Sequence, residues 1–141
     1  MKIKKSGVIR LFPTCVWATQ LAPATYEPIN REILSRLEMI RRERPDLADA
    51  GQWQTGQDLH RHPELQGLLE VITTTARRVC DSLTLIYDEI AVTGCWANVS
   101  QRGQGHRPHV HPNNYLSGAY YVRTAPGADG IEFHDPRPQA E

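Results

Sequence analysis

The sequence predicts an α+β protein in which helices pack outside an antiparallel β unit. Two patterns predict it. Apolar residues recur at helical spacing twice before residue 82, and from there on only short β-favouring runs follow. A third observation places the chemistry. Four of the six histidines fall in the β-rich part, three of them within Gly105-His106-Arg107-Pro108-His109-Val110-His111-Pro112.

The elements are read in chain order. Val8-Ile9-Arg10-Leu11-Phe12 is a short apolar run closed by Pro13, a strand that Val16-Trp17-Ala18 extends. Ile29, Ile33, Leu37 and Ile40 then recur on one helical face, with Leu34 widening it. Asn30 is the natural cap, and Pro45 stops the helix near Arg44, giving a helix at about 30–44. Arg41-Arg42-Glu43-Arg44 is a solvated helix end whose charge suits the C-terminal dipole. Residues 46–61 read as loop, with Trp53 as a plug for the core. His60-Arg61-His62 is a second His-x-His, but Pro63 at a first helical position makes His62 a residue of the cap region. Leu65, Leu68, Leu69, Ile72, Ala76 and Val79 trace the second helix, at about 63–81.

The remainder, about 83–135, reads as strands. Leu83–Tyr87, Ile90–Thr93, Cys95–Ser100 and Tyr115–Thr124 favour β structure, and Pro126-Gly127-Ala128-Asp129-Gly130 reverses the chain before Ile131–His134. Composition fits one domain spanning 1–141, with 40% hydrophobic and 23% charged residues. Lys+Arg and Asp+Glu are both 16, and no basic stripe with interleaved aromatics appears, so nucleic-acid binding is not expected. Cys15, Cys80 and Cys95 are too few and scattered for a disulfide scaffold. With neither a signal peptide nor an apolar run of membrane-spanning length, the expectation is a cytoplasmic protein without membrane contact.

His109 and His111 are two residues apart, so on an extended backbone both imidazoles leave the same face. Such a pair suits Fe(II), Mn(II) or Zn(II), or equally two polar residues at the mouth of a strand. His106 lies beyond Pro108 and reads as a loop or supporting residue. Asn98 is placed to point a carboxamide toward the histidines, or to tie down the Gly-rich turn at 101–105. Tyr120 and Tyr121 point to opposite strand faces, so one of them faces inward. Asp135 can pair with Arg137 to pin a turn.

Trp96-Ala97-Asn98, Gly105, Arg107-Pro108-His109-Val110-His111-Pro112, Leu116-Ser117-Gly118-Ala119-Tyr120-Tyr121-Val122 and Phe133-His134-Asp135-Pro136-Arg137 together resemble a family of 2-oxoglutarate–Fe(II) oxygenases of bacteria and marine phages. Leu11-Phe12-Pro13-Thr14 with Val16-Trp17 resembles that family's opening, so the likeness spans almost the whole chain. The resemblance implies a double-stranded β-helix (jelly roll, cupin-like), here a partial one with two N-terminal packing helices. It implies His109 and His111 as the first iron-ligand pair. It also implies Fe(II) and 2-oxoglutarate as cofactors, with ascorbate supportive, and Tyr120 or Tyr121 at the co-substrate pocket, to which the residue spacing adds Asn98 as a cofactor-binding candidate. The reaction implied is hydroxylation of a second substrate that the resemblance leaves undefined, with succinate and CO2 released.

In that family the distal histidine and the cationic clamp for 2-oxoglutarate come from late strands. Only six residues follow Asp135 here, so the chain reads as the N-terminal portion of such a domain or a natural truncation, inactive by itself. Exposed strand edges would then favour a homodimer. Two other readings compete: a non-oxygenase cupin, and a non-catalytic structural remnant of phage origin. The cupin's glutamate after the second histidine is missing, since Asn114, Tyr115 and Leu116 stand there.

Overall fold

The computed structural model describes residues 7, 14–44, 46, 52–128, 130–135 and 137. The strand expected at 8–12 lies outside them. Helix α1 runs Pro23–Glu43, β1 is Gln52–Gln54, α2 runs Gln66–Ser82 and β2 is Asn98–Ser100. Two short 3-10 turns, Leu59–Arg61 and Pro63–Leu65, lead into α2.

Helix α1 starts seven residues before the expected cap. Pro23 takes its first position, where a missing N–H costs nothing, and the amides of Thr25 and Tyr26 both donate to the Ala22 carbonyl. Pro28 lies inside the helix and forfeits one backbone bond, yet the helix continues because Ile29 and Ile33 are buried on one face. The end is as expected, with the Arg44 amide donating to the Ile40 carbonyl. Glu38 meets Arg42 at 3.2 Å and Arg41 at 3.8 Å on the solvated face, contacts worth little to stability.

Helix α2 carries the predicted apolar face but begins at Gln66 rather than at Pro63, which opens a separate 3-10 turn before it. Ile29, Ile33, Leu59, Leu65 and Leu68 form the core, with Val71, Ile72, Tyr120 and Val122 packed against it. The two helices approach closely where Gly67 faces Ile29. A Cβ on Gly67 would lie 3.2 Å from Ile29 Cγ1, so glycine suits this position.

The sheet departs from expectation most. Among the described residues it has two strands, β1 and β2, antiparallel with Gln52 opposite Ser100, Trp53 opposite Val99 and Gln54 opposite Asn98. β1 falls in a stretch read as loop. Buried Thr55 extends the pairing: its amide donates to the Ala97 carbonyl at 3.0 Å, and its hydroxyl accepts from the Ala97 amide at 2.9 Å. Further along, the Leu59 amide donates to the Cys95 carbonyl and the Cys95 amide to the Gln57 carbonyl, both at 3.0 Å.

The expected double-stranded β-helix is therefore not the architecture. The regular structure is mostly helical, 21 and 17 residues in α1 and α2 against 3 in each strand, and the small sheet does not close into a barrel. Of the strand set expected at 83–135, only residues 98–100 form a strand among the described residues. The reason is pairing. A β-favouring run becomes a strand only when a neighbour satisfies its N–H and C=O groups. At 98–100 the neighbour is β1, whereas Ile86 stands 101% exposed and Val110 85% exposed.

Candidate metal centre

Local turns deliver the histidines to one place. Gln101–Gln104 forms a turn closed by the Gln104 amide on the Gln101 carbonyl, with Gly103 at φ 85°. Gln104 Oε1 accepts from the Gln101 amide at 2.9 Å, tightening it. Pro112-Asn113 turns the chain again, with Asn113 in the left-handed region at φ 63°, a conformation asparagine tolerates better than most residues. Asn114 holds that turn by accepting from the Thr93 hydroxyl at 3.0 Å. Past it, Ser117 comes back beside His111.

His109 Nε2 and His111 Nε2 lie 3.0 Å apart, and the ring centroids are separated by 4.9 Å. The far nitrogens are engaged as well. His109 Nδ1 is 2.9 Å from the Arg107 carbonyl oxygen, and His111 Nδ1 is 3.1 Å from Ser117 Oγ. Trp96, which precedes β2, meets His111 edge-on with centroids 5.2 Å apart and planes at 71°. His111 is half-buried and His109 exposed.

This spacing has a chemical meaning. Two ligand nitrogens each about 2.1 Å from one ion, at right angles, lie about 3.0 Å apart. The Nε2 separation equals that of adjacent positions around a single octahedral ion, and the outer hydrogen bonds are of the kind that orients metal-binding imidazoles. Two imidazoles are as far as the fit goes. No group of three or more His, Cys, Asp or Glu side chains able to hold a metal occurs among the described residues. His106 is nearby, its ring 6.1 Å from that of His109, but its Nε2 lies 3.3 Å from Gln52 Nε2 of β1.

The other predicted site residues are spread out. Asn98 is exposed in β2, opposite Gln54. Tyr120 donates its hydroxyl to Asn30 Oδ1 at 2.7 Å, and Asn30 Nδ2 donates to the Val122 carbonyl at 2.9 Å. Asn30 is thus no cap: it fastens the segment after the histidines to α1. Burial pushes the Tyr120 phenol upward from its ordinary range, with Tyr26 adding to the shift. Tyr121 is exposed.

Asp135 and Arg137 make the expected pair, with the guanidinium at 2.7 and 2.9 Å from the carboxylate and the Arg137 amide at 3.0 Å. The guanidinium, then the amide, hold the Asp135 carboxyl at about 2, so it remains ionised until strongly acidic pH. They sit with Thr14, Phe133 and His134 around a hollow of about 210 Å³, and a second hollow of about 410 Å³ lies on α2 around Glu70 and Arg77. Neither hollow is lined by the histidine pair. Ser117 escaped the sequence reading as a partner of His111. The available signal was a small hydroxyl six residues on, just past a Pro-Asn-Asn turn.

No helix among the described residues is long and apolar enough to cross a membrane. No curated protein and no solved structure matches the chain. The sequence model of a family described as "Putative 2OG-Fe(II) oxygenase" matches residues 94–141, which include the histidines, Trp96, Ser117 and the Asp135–Arg137 pair but not residues 11–17. Over that third of its length, the chain is similar to this oxygenase family.

Proposed function

We propose that residues 94–135 carry the ligand-pair half of an Fe(II)- and 2-oxoglutarate-dependent oxygenase site, with His109 and His111 as two adjacent iron ligands. The observation that carries this reading is the 3.0 Å separation of the two Nε2 atoms. The family similarity over the same residues selects iron and 2-oxoglutarate from the metals and co-substrates such a pair could serve.

Bound iron would supply the site for oxygen activation. This chain's residues contribute two imidazoles, with the Arg107 carbonyl and Ser117 beside their outer nitrogens and Trp96 against one ring. A productive site also needs a third fixed ligand and a cation to orient the dicarboxylate. The described residues supply no third His, Cys, Asp or Glu, and Arg137 is engaged by Asp135. Among the described residues, then, two imidazoles are the ligands this reading assigns, and we expect weak binding of the ion by that pair. Such a protein works on its second substrate only when another segment or subunit completes the coordination.

Anaerobic Fe(II) titration of the chain and of His109→Ala and His111→Ala tests the reading. Each variant is expected to bind at least about tenfold more weakly, because a single imidazole forfeits the chelate. Equal affinity in all three proteins would remove the assignment.

A further inference from the structure

Helix α2 presents a second face, turned away from Leu68, Val71 and Ile72 of the core side. Gln66, Leu69, Glu70, Thr73, Thr74 and Arg77 line the hollow of about 410 Å³ there, and each of these described residues belongs to this one helix. They recur at intervals of three and four, so they form a single stripe. Leu69 and Thr73 are half-buried, whereas Gln66, Glu70, Thr74 and Arg77 are exposed.

The stripe carries opposite charges at its two ends. Glu70 and Arg77 stand two turns apart, about 10 Å along the axis, too far to meet within the helix. Neither takes part in an ion pair among the described residues. Such a stripe is complementary to itself under a two-fold axis, which makes each contact twice with the roles exchanged. In an antiparallel pair with the axis between Thr73 and Thr74, Glu70 comes opposite the second copy's Arg77. Arg77 then comes opposite the second copy's Glu70. The threonines at the crossing are small enough for the helices to approach closely. A parallel pair would instead set Glu70 against Glu70 and Arg77 against Arg77, which opposes that orientation. A uniformly basic or uniformly acidic partner would meet a like charge at one end.

We propose that this face of α2 is the interface of an antiparallel homodimer, crossed at Thr73 and Thr74 and kept in register by two Glu70–Arg77 ion pairs between copies. Leu69 is the wholly apolar side chain on the stripe, so the dimer belongs to the weak, small-interface class, and charge sets its geometry. It uses no residue of 94–135 and does not rest on the metal-binding reading. It is also distinct from pairing through exposed strand edges, and the variants separate the two.

Sedimentation velocity of the full chain over micromolar to millimolar concentrations tests it. The wild type should pass from monomer to dimer as concentration rises, and less so at high salt. The single variants E70R and R77E each turn two attractive pairs into two repulsive ones, so each should dimerise at least about tenfold more weakly. The double variant E70R/R77E restores both pairs with the signs exchanged and should return to within a few-fold of the wild type. Mixing the two single variants should give a heterodimer, an arm that does not depend on the double variant folding. Both positions are exposed, and circular dichroism checks that helix content is kept. A wild-type chain that stays monomeric throughout would overturn the proposal. So would a dimer indifferent to both single variants, which would place the contact elsewhere. Loss in the single variants without recovery in the double variant or in the mixture would overturn the Glu70–Arg77 pairing, and the interface with it.

Discussion

Residues 23–82 and residues 101–135 treat most of their apolar side chains in opposite ways, Tyr120 and Val122 packing against the core from the second region. In the first region Ile29, Ile33, Leu59, Leu65 and Leu68 close into a core. In the second, Val110, Tyr115, Leu116, Tyr121, Ile131 and Phe133 remain exposed. The contrast follows from where each backbone finds its hydrogen bonds. A helix satisfies nearly all of them within its own segment, whereas a strand depends on a neighbour. The second region is held where side chains of the first reach into it: Asn30 takes Tyr120 and Val122, and Gln52 meets His106. The histidine pair lies between those two attachments. Its geometry comes from tight turns and local hydrogen bonds rather than from a strand.

The largest expected contrast is in hydrogen exchange. Amides in the middle of α2 should exchange roughly a thousandfold or more slowly than those of 105–119, because opening α2 requires most of the global unfolding free energy. Strong protection across 115–119 would restore the strand that the structure lacks and break the comparison.

Next in size is core truncation. Leu65 is 1% exposed, and Leu65→Ala should cost about 2–5 kcal/mol in denaturant unfolding. Metal affinity of the folded protein should stay unchanged, since the core and the pair are built separately. A loss below about 1 kcal/mol would mean that the site collapses easily and the core is less closed than described.

The smallest effect sharpens the boundary between the regions. Tyr120→Phe removes the bond to Asn30 and should cost about 1 kcal/mol. Metal affinity should hardly move. Unaltered stability with lost metal affinity would instead make this hydroxyl part of the site, as the sequence alone suggested for one of Tyr120 and Tyr121.

What the sequence made legible follows the same division. The buried face of α2 was readable from Leu65 and Leu68, because helical periodicity is a local signal. The start of α1 was not, since Pro28 reads as a barrier and only burial of Ile29 and Ile33 carries the helix through it. β1 was missed because Gln52-Trp53-Gln54 is polar at two of three positions and owes its strand to a partner 44 to 48 residues away. Tyr115–Thr124 was over-read for the converse reason: β propensity is present and a partner strand is not among the described residues. At the site, the closeness of His109 and His111 was readable from their spacing. Ser117 required the left-handed Asn113, which no periodicity reveals. Pro126-Gly127 was legible as a turn because glycine there takes φ 76° and the Ala128 amide closes on the Ala125 carbonyl.

The central claim is the proposal that His109 and His111 together hold one metal ion. X-ray absorption at the iron edge of the anaerobic Fe(II)-loaded chain tests it most directly, since multiple scattering from imidazole rings counts histidine ligands. The account predicts two histidines at about 2.1 Å with oxygen donors in the remaining positions, falling to one histidine in His109→Ala. An iron environment without histidine, or one that His109→Ala leaves unchanged, would contradict it.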